Sequence, residues 1–279
     1  MSQPAGNIEP PAVTHSRLVK DLSALGVARG QLVMLHASVK SIGWVVGGPD
    51  VVLSALFEVL GPEGTLMMVV GWEDSTYEMD EWPAEKRQAY HDECPAFDPS
   101  RSRACRNMSI LTEYLRTWPG ARRSGHPDCS YAAVGPLAEW IVRDHPLQYG
   151  HGVGSPLAKL CEAGGSVLLL GSPLVHVTLL HYAECLADVP GKRVVRYRAP
   201  VLRDGRRVWV ELEEYDTCNG IVGSSDQYFP AIMEAYLTVG HGRSGLVGHG
   251  RSYLFHAPHL TRFAVEWMER HLRGKAPAV

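Results

Sequence analysis

Gln31-Leu32-Val33-Met34-Leu35-His36-Ala37-Ser38-Val39-Lys40-Ser41-Ile42-Gly43 is the stretch that decides the fold. Gln31 to His36 is an apolar run bounded upstream by Gly26 and Gly30, which reads as a short strand buried on both faces. Just before it, Leu18 to Leu25 reads as a helix that those glycines end. A helix leading into a buried strand begins an α/β layering. Downstream the chain turns through His36 to Gly43, passes Gly47-Gly48-Pro49-Asp50 and enters a helical stretch, Val51 to Leu60. Pro49 and Asp50 suit a helix start, because a missing N–H is harmless in the first turn and an acid favours the positive end of the dipole. Gly61 closes that helix, and Thr65 to Val70 reads as a second buried strand.

Gly71 to Arg103 is too long for a simple connection. Its acids, Glu73, Asp74, Glu78, Asp80, Glu81, Glu85, Asp92, Glu93 and Asp98, outnumber Lys86, Arg87, Arg101 and Arg103. Trp72, Tyr77, Trp82 and Tyr90 give it aromatic surface to pack, so an ordered acidic flap is predicted. Beyond it, helices are predicted over Leu111 to Trp118, within Ala132 to Asp144 and over Ser155 to Glu162. Ser166 to Leu170 reads as a strand ending at Gly171-Ser172-Pro173, followed by a helix from about Thr178 to Ala187. A hairpin across Asp204-Gly205 and a C-terminal helix from Leu260 to His271 complete the pattern. The predicted organisation is a mobile tail over residues 1–16, one domain over 17–273 and a short tail over 274–279.

Composition excludes several classes. The chain has 279 residues, 27 basic and 30 acidic, for a net charge of −3, which leaves no footprint for nucleic acid. No apolar run approaches the ~20 residues of a membrane span, and the polar start with Pro4, Pro10 and Pro11 lacks the features of a secretory leader. A cytoplasmic protein is expected. Cys94, Cys105, Cys129, Cys161, Cys185 and Cys218 form no CxxC pair, and the 13 histidines form no HxxxH or HxH pair, so no metal is predicted.

Four stretches carry residues suited to chemistry. Thr178-Leu179-Leu180-His181-Tyr182-Ala183-Glu184 opens a helix after a strand, and His181 and Glu184, three apart, share one helix face. A carboxylate there orients an imidazole as a general base, with Thr178 able to cap the helix or touch the ring. A structural His–Glu pair is, on the residues alone, the commoner outcome. The His36 to Gly43 turn offers small residues for close approach to a phosphate or pantetheine, with a plain tight turn as the competing reading. Gly120-Ala121-Arg122-Arg123-Ser124-Gly125-His126-Pro127 offers arginines for an anionic cofactor, or a solvated basic loop. Glu211-Leu212-Glu213-Glu214-Tyr215-Asp216 offers four carboxylates that, with the flap, attract a polycation, or else a solvated strand edge.

Together and in this order the stretches resemble the aminoglycoside 3-N-acetyltransferase family. The likeness rests on Met34 to Gly43, Pro119-Gly120-Ala121-Arg122-Arg123-Ser124, Leu168-Leu169-Leu170-Gly171-Ser172-Pro173-Leu174, His181-Tyr182-Ala183-Glu184 and Glu214-Tyr215-Asp216, and runs from about Val19 to Leu272. It implies a three-layer α/β/α fold distinct from the common small N-acetyltransferase fold. It also implies acetyl-CoA as donor and co-substrate, held by His36, Ala37, Ser38, Val39, Ser41, Arg123 and Ser124. His181 is implied as catalytic base, with Glu184 and Thr178 beside it. The antibiotic is implied to sit against Glu73, Asp74, Tyr77, Asp80, Glu213, Glu214 and Asp216, in a monomer or homodimer. One departure stands out: where the family usually has a small polar residue after Leu174, this chain has Val175 and His176, which bears on substrate range. The Cys218 to Gln227 connection is also its own.

The implied reaction is acetyl transfer to the 3-amine of the 2-deoxystreptamine ring, conferring antibiotic resistance. An aminoglycoside amine is mostly ammonium at neutral pH and needs a base before it attacks a thioester. His181 fills that role, and backbone N–H groups of the Ser38 turn, or Thr178, are the expected oxyanion donors. Competing readings are a same-fold acyltransferase for another small amine, a thiol enzyme using Cys129, Cys185 or Cys218, and a protein that sequesters polycations without turnover.

Overall fold

Alternate residues of β1 (Leu32–Ala37) serve two different cores. Leu32 and Met34 belong to one apolar cluster and Val33, Leu35 and Ala37 to another, because successive side chains of a strand point to opposite faces. β2 (Thr65–Val69) and β5 (Ser166–Leu170) divide in the same way, and both pair with β1 in parallel. A sheet with both faces apolar must be covered on both. α1 (His15–Leu25), α3 (Gly48–Leu60) and α5 (Ile110–Arg116) cover one face. The other is covered by α6 (Ala138–Val142), α7 (Pro156–Glu162), α8 (Leu179–Leu186), α9 (Tyr228–Thr238) and α10 (Ala257–Leu272). The three-layer α/β/α architecture follows, and a four-residue α2 (Val39–Ile42) links β1 to α3.

This computed structural model describes residues 11–222 and 228–273. Its sheet has seven strands in the order β3-β4-β2-β1-β5-β9-β8, with β3 (Arg122–Arg123), β4 (Tyr131–Val134), β8 (Arg243–Val247) and β9 (Gly250–His256). The parallel centre is flanked by antiparallel pairings of β4 with β2 and of β9 with β5. β4 lies where only a helix within Ala132 to Asp144 was expected; the helix, α6, begins at Ala138. A third cluster packs Trp72, Cys94 and Phe97 of the flap against Tyr197, Ala199, Val201, Val210 and Leu212. Those five lie on the hairpin of β6 (Val194–Arg203) and β7 (Arg206–Tyr215). The acidic flap is therefore ordered, and contains α4 (Ala84–Glu93). Asp204 and Gly205 both have positive φ, the backbone of a type I′ hairpin turn.

Two boundaries differ from the sequence reading. α1 starts at His15, where Thr14 accepts a hydrogen bond from the Arg17 N–H, rather than at Leu18. Val13 is fully buried and bridges to Val45, so the part of the predicted tail from Val13 onward is packed. The rest of that tail up to residue 10, the tail over 274–279 and residues 223–227 of the distinctive connection lie outside the described residues. Among the described residues no helix is long and apolar enough to cross a membrane.

Candidate active site

β1 and β5 end side by side, and the chain leaves each into a cavity of about 650 Å³. Strand ends of this kind are where open α/β sheets place ligands. After β5, a single 3₁₀ turn over Leu174–His176 precedes α8, so His181 stands in the first turn of that helix and lines the cavity.

The ring of His181 gives Nδ1–H to Glu184 Oε2 at 2.6 Å. Glu184 is almost wholly buried, at 1% exposure, and its other oxygen accepts the Tyr228 hydroxyl. With the proton on Nδ1, the Nε2 of His181 keeps its lone pair, the form a general base needs. His151 stacks on the ring at 5.3 Å between centroids, and Phe229 packs at 4.9 Å. Burial, reinforced by His181 and two further histidines, holds the His151 pKa well below the usual range. His36 is pushed down to about 3 by burial, with His176 and His181 adding to it. His36 and His151 beside the pair are thus neutral rings at neutral pH.

Part of the cavity lining is acidic and polar. Glu73, Tyr77, Glu78 and Asp128 line it. Glu73 is held by Arg106 at 2.5 Å. Asp128 accepts the Ser75 hydroxyl at 2.5 Å and the Tyr197 hydroxyl at 3.1 Å, and has no ion-pair partner among the described residues, so its charge is not neutralised by a neighbouring cation. The turn that presents Asp128 is locked by His126, whose Nδ1 accepts main-chain N–H groups of Asp128 and Cys129 at 3.2 and 3.1 Å.

His126, Cys129 and Glu214 are all buried and bring ligand-type atoms within 4.8 Å of one another. Because His126 Nδ1 is the acceptor for two N–H groups, its proton belongs on Nε2, which lies 3.2 Å from Glu214 Oε1. That leaves the ring no free lone pair for a cation.

Several sequence-predicted site residues stand elsewhere. Of the first turn, His36 and Ala37 line the cavity, whereas Ser38, Val39 and Ser41 do not. The Ser38 N–H is committed to Leu170 O at 2.9 Å, which removes it as an oxyanion donor, and its hydroxyl bonds Ser41 Oγ at 2.8 Å. Thr178 lines the cavity but makes no capping hydrogen bond. Arg123 is a structural arginine: its guanidinium bonds Ser102 O, Gly71 O and Ser130 Oγ and lies over the Phe97 ring. Ser124 is buried, accepting Tyr131 N–H and bonding His145 Nδ1, each at 2.9 Å. Neither Arg123 nor Ser124 reaches the cavity.

Asp74 and Asp80 are exposed and outside the cavity. Glu213 points to Arg196 at 2.6 Å and Tyr149 at 2.5 Å. Glu214 and Asp216 are buried rather than on a solvated edge; Glu214 accepts Gly150 N–H, and Asp216 accepts Asn219 N–H at 3.0 Å and the Tyr77 hydroxyl at 3.4 Å. They brace the acidic wall from behind. Sequence reasoning missed Asp128, one residue past the quoted Arg-Arg segment, and His151, whose setting in Gly150-His151-Gly152 was the available signal. Tyr228 lies 44 residues from Glu184 and had no signal.

Comparison with known proteins identifies the family and the fold. The family described as "Aminoglycoside 3-N-acetyltransferase" matches residues 34–269. Aminoglycoside N(3)-acetyltransferase III of Pseudomonas aeruginosa is 50% identical over 263 residues, covering 94% of this chain and 96% of its own. A structure of AAC-IIIb with CoASH superposes with a TM-score of 0.89 at 44% identity, covering 96% of this chain and 100% of that one. AAC-VIa bound to sisomicin superposes at 0.88 with 38% identity, covering 94% and 99%.

Proposed function

This chain belongs to the aminoglycoside 3-N-acetyltransferase family of acyltransferases, and we propose that it moves the acetyl group of acetyl-CoA directly onto the 3-amine of the 2-deoxystreptamine ring, conferring antibiotic resistance. The observation that carries the reading is the His181–Glu184 pair at 2.6 Å, its imidazole lining a cavity that Glu78 and Asp128 also line. The carboxylates hold the polycation; the imidazole activates it. CoASH and sisomicin in the related structures support the choice of donor and acceptor.

In the proposed step, the substrate ammonium gives one proton to solvent, and His181 Nε2 takes a second from the amine as its nitrogen bonds to the thioester carbonyl carbon. Glu184 stabilises the imidazolium that forms. The carbon–sulfur bond then breaks, and the imidazolium proton goes to the departing CoA thiolate. The Thr178 hydroxyl, on the cavity wall and free of capping duty, is the proposed donor to the oxyanion.

Cys129 is the residue to weigh against direct transfer, because its Sγ lies 3.4 Å from His126 Nδ1 and it lines the same cavity. Burial, with Glu214 and Asp128 adding, pushes its thiol well above the ordinary range. His126 Nδ1 already accepts two main-chain N–H groups, which makes it a poor base. The pair therefore locks a turn rather than carrying an acetyl group. The test is free-thiol release from acetyl-CoA across aminoglycosides with and without the 3-amine. Release that requires the 3-amine supports the reading, and release indifferent to it contradicts it.

A further inference from the structure

A carboxylate as buried as Glu184 needs both oxygens satisfied to remain charged. Oε2 takes the His181 proton, and Oε1 takes the hydroxyl hydrogen of Tyr228. Tyr228 is itself buried, and its oxygen lies 3.4 Å from the Ile221 N–H that donates to it. A phenol that accepts from a main-chain N–H on one side has its hydrogen free for the carboxylate on the other. Burial and the neighbouring Glu184 raise the phenol pKa beyond its ordinary value, so the hydroxyl stays a donor across the working pH range. The next residue, Phe229, lies against the His181 ring. The first two residues of α9 thus grip both members of the pair on α8.

We propose that Tyr228 is a positioning residue for acetyl transfer, holding the Glu184 carboxylate in the one rotamer that faces His181 Nδ1. The proposal rests on the reading of His181 as the base. Without the phenol, Glu184 has an unpaired buried oxygen and is free to rotate away, so the imidazole loses both its tautomeric control and its counter-charge. The titratable and charged groups that face the pair from packed elements are His36, His151, His176, Cys185, Lys192 and Arg193. None of them bonds the Tyr228 hydroxyl.

The test compares Tyr228→Phe with His181→Ala in the full chain. Phenylalanine keeps the ring packing and removes only the hydroxyl. The expected result for Tyr228→Phe is a fall in kcat of about 10-fold with KM for acetyl-CoA changed by less than about twofold. The acid limb of the kcat/KM profile should move to lower pH, because an imidazole that has lost its counter-charge holds its proton less strongly. The far-downfield proton resonance of His181 Nδ1–H should shift in the free protein, a readout independent of turnover. Wild-type kcat with an unmoved acid limb would overturn the proposal. So would lost activity with a lower Tm but an unmoved limb and an unmoved resonance, since the role would then be structural. If His181→Ala retains turnover, the base assignment fails and takes the Tyr228 role with it; if it is inactive while Tyr228→Phe behaves as wild type, only the Tyr228 role fails.

Discussion

Glu184 holds the Nδ1 of His181 at 2.6 Å from a carboxylate oxygen that water does not reach. Because Oε1 of Glu184 accepts the Tyr228 hydroxyl, the orientation of any amide placed there is also fixed. In Glu184→Gln the carbonyl oxygen should stay on Tyr228, leaving the NH₂ group to face His181. The ring would then hold its proton on Nε2 and cease to be a base. A fall in kcat of about 10²-fold to 10⁴-fold is expected from steady-state rates, with the fold retained by circular dichroism. A Gln variant within a few-fold of wild type would show that the tautomer does not matter.

Asp128 lines the cavity with two hydroxyl partners and no cation among the described residues. Asp128→Asn keeps the size and the hydroxyl contacts while removing the charge. The aminoglycoside KM should rise about 10-fold at low salt, and the difference between variant and wild type should shrink as ionic strength shortens the Debye length to roughly 8 Å. An aminoglycoside KM indifferent to both the substitution and salt would remove the acidic wall from substrate binding.

Arg123 shows how a motif residue and a site residue can differ. Its guanidinium satisfies the main-chain oxygens of Ser102 and Gly71 from beneath the flap. Arg123→Ala leaves the Ser102 carbonyl without that donor and the Gly71 carbonyl with only the Ser130 hydroxyl at 3.2 Å, so a loss of about 2–4 kcal/mol in urea unfolding is expected. The KM for acetyl-CoA, measured on the folded fraction, should be unchanged. A raised KM at undiminished stability would restore the cofactor role.

Buried neutral histidines make stability depend on pH. His36 and His145 are each pushed down to about 3, by burial first and neighbouring histidines second. In the unfolded chain both titrate near their ordinary value, so below about 6.5 the unfolded state binds protons that the folded state refuses. Stability is complete above that pH and falls between about 6.5 and about 3, by at most about 1.4 kcal/mol per pH unit for each ring. Urea unfolding at several pH values checks this, and His145→Asn should flatten the slope by up to one proton. Stability rising with acidification over that window would contradict it.

The layered fold was legible because Gln31 to His36 and Ser166 to Leu170 are apolar on both faces, which only a doubly covered sheet accommodates. β4 was not: Tyr131 to Val134 is only four residues long and needs its pairing with β2 to make it a strand, and the Gly135-Pro136 break that separates it from the helix went unread. His181 and Glu184 were legible because helix geometry alone brings them together. The acidic wall was legible in kind but not in membership. Charge counts along the flap weight Asp74 and Asp80, which face solvent, as heavily as Glu78, and say nothing of Asp128, which the locked His126 turn delivers from another segment. The placement of Arg123 was not legible either, because adjacent arginines look alike in sequence, whereas the fold turns this one onto the Phe97 ring.

Turnover by His181→Ala, measured as thiol release with acetyl-CoA and a 3-amine aminoglycoside both saturating, tests the central claim most directly. Removing the ring leaves the attacking amine with no positioned acceptor for its proton. A folded variant should lose about 10²-fold or more in kcat. Near-native turnover in a folded His181→Ala protein would contradict the account.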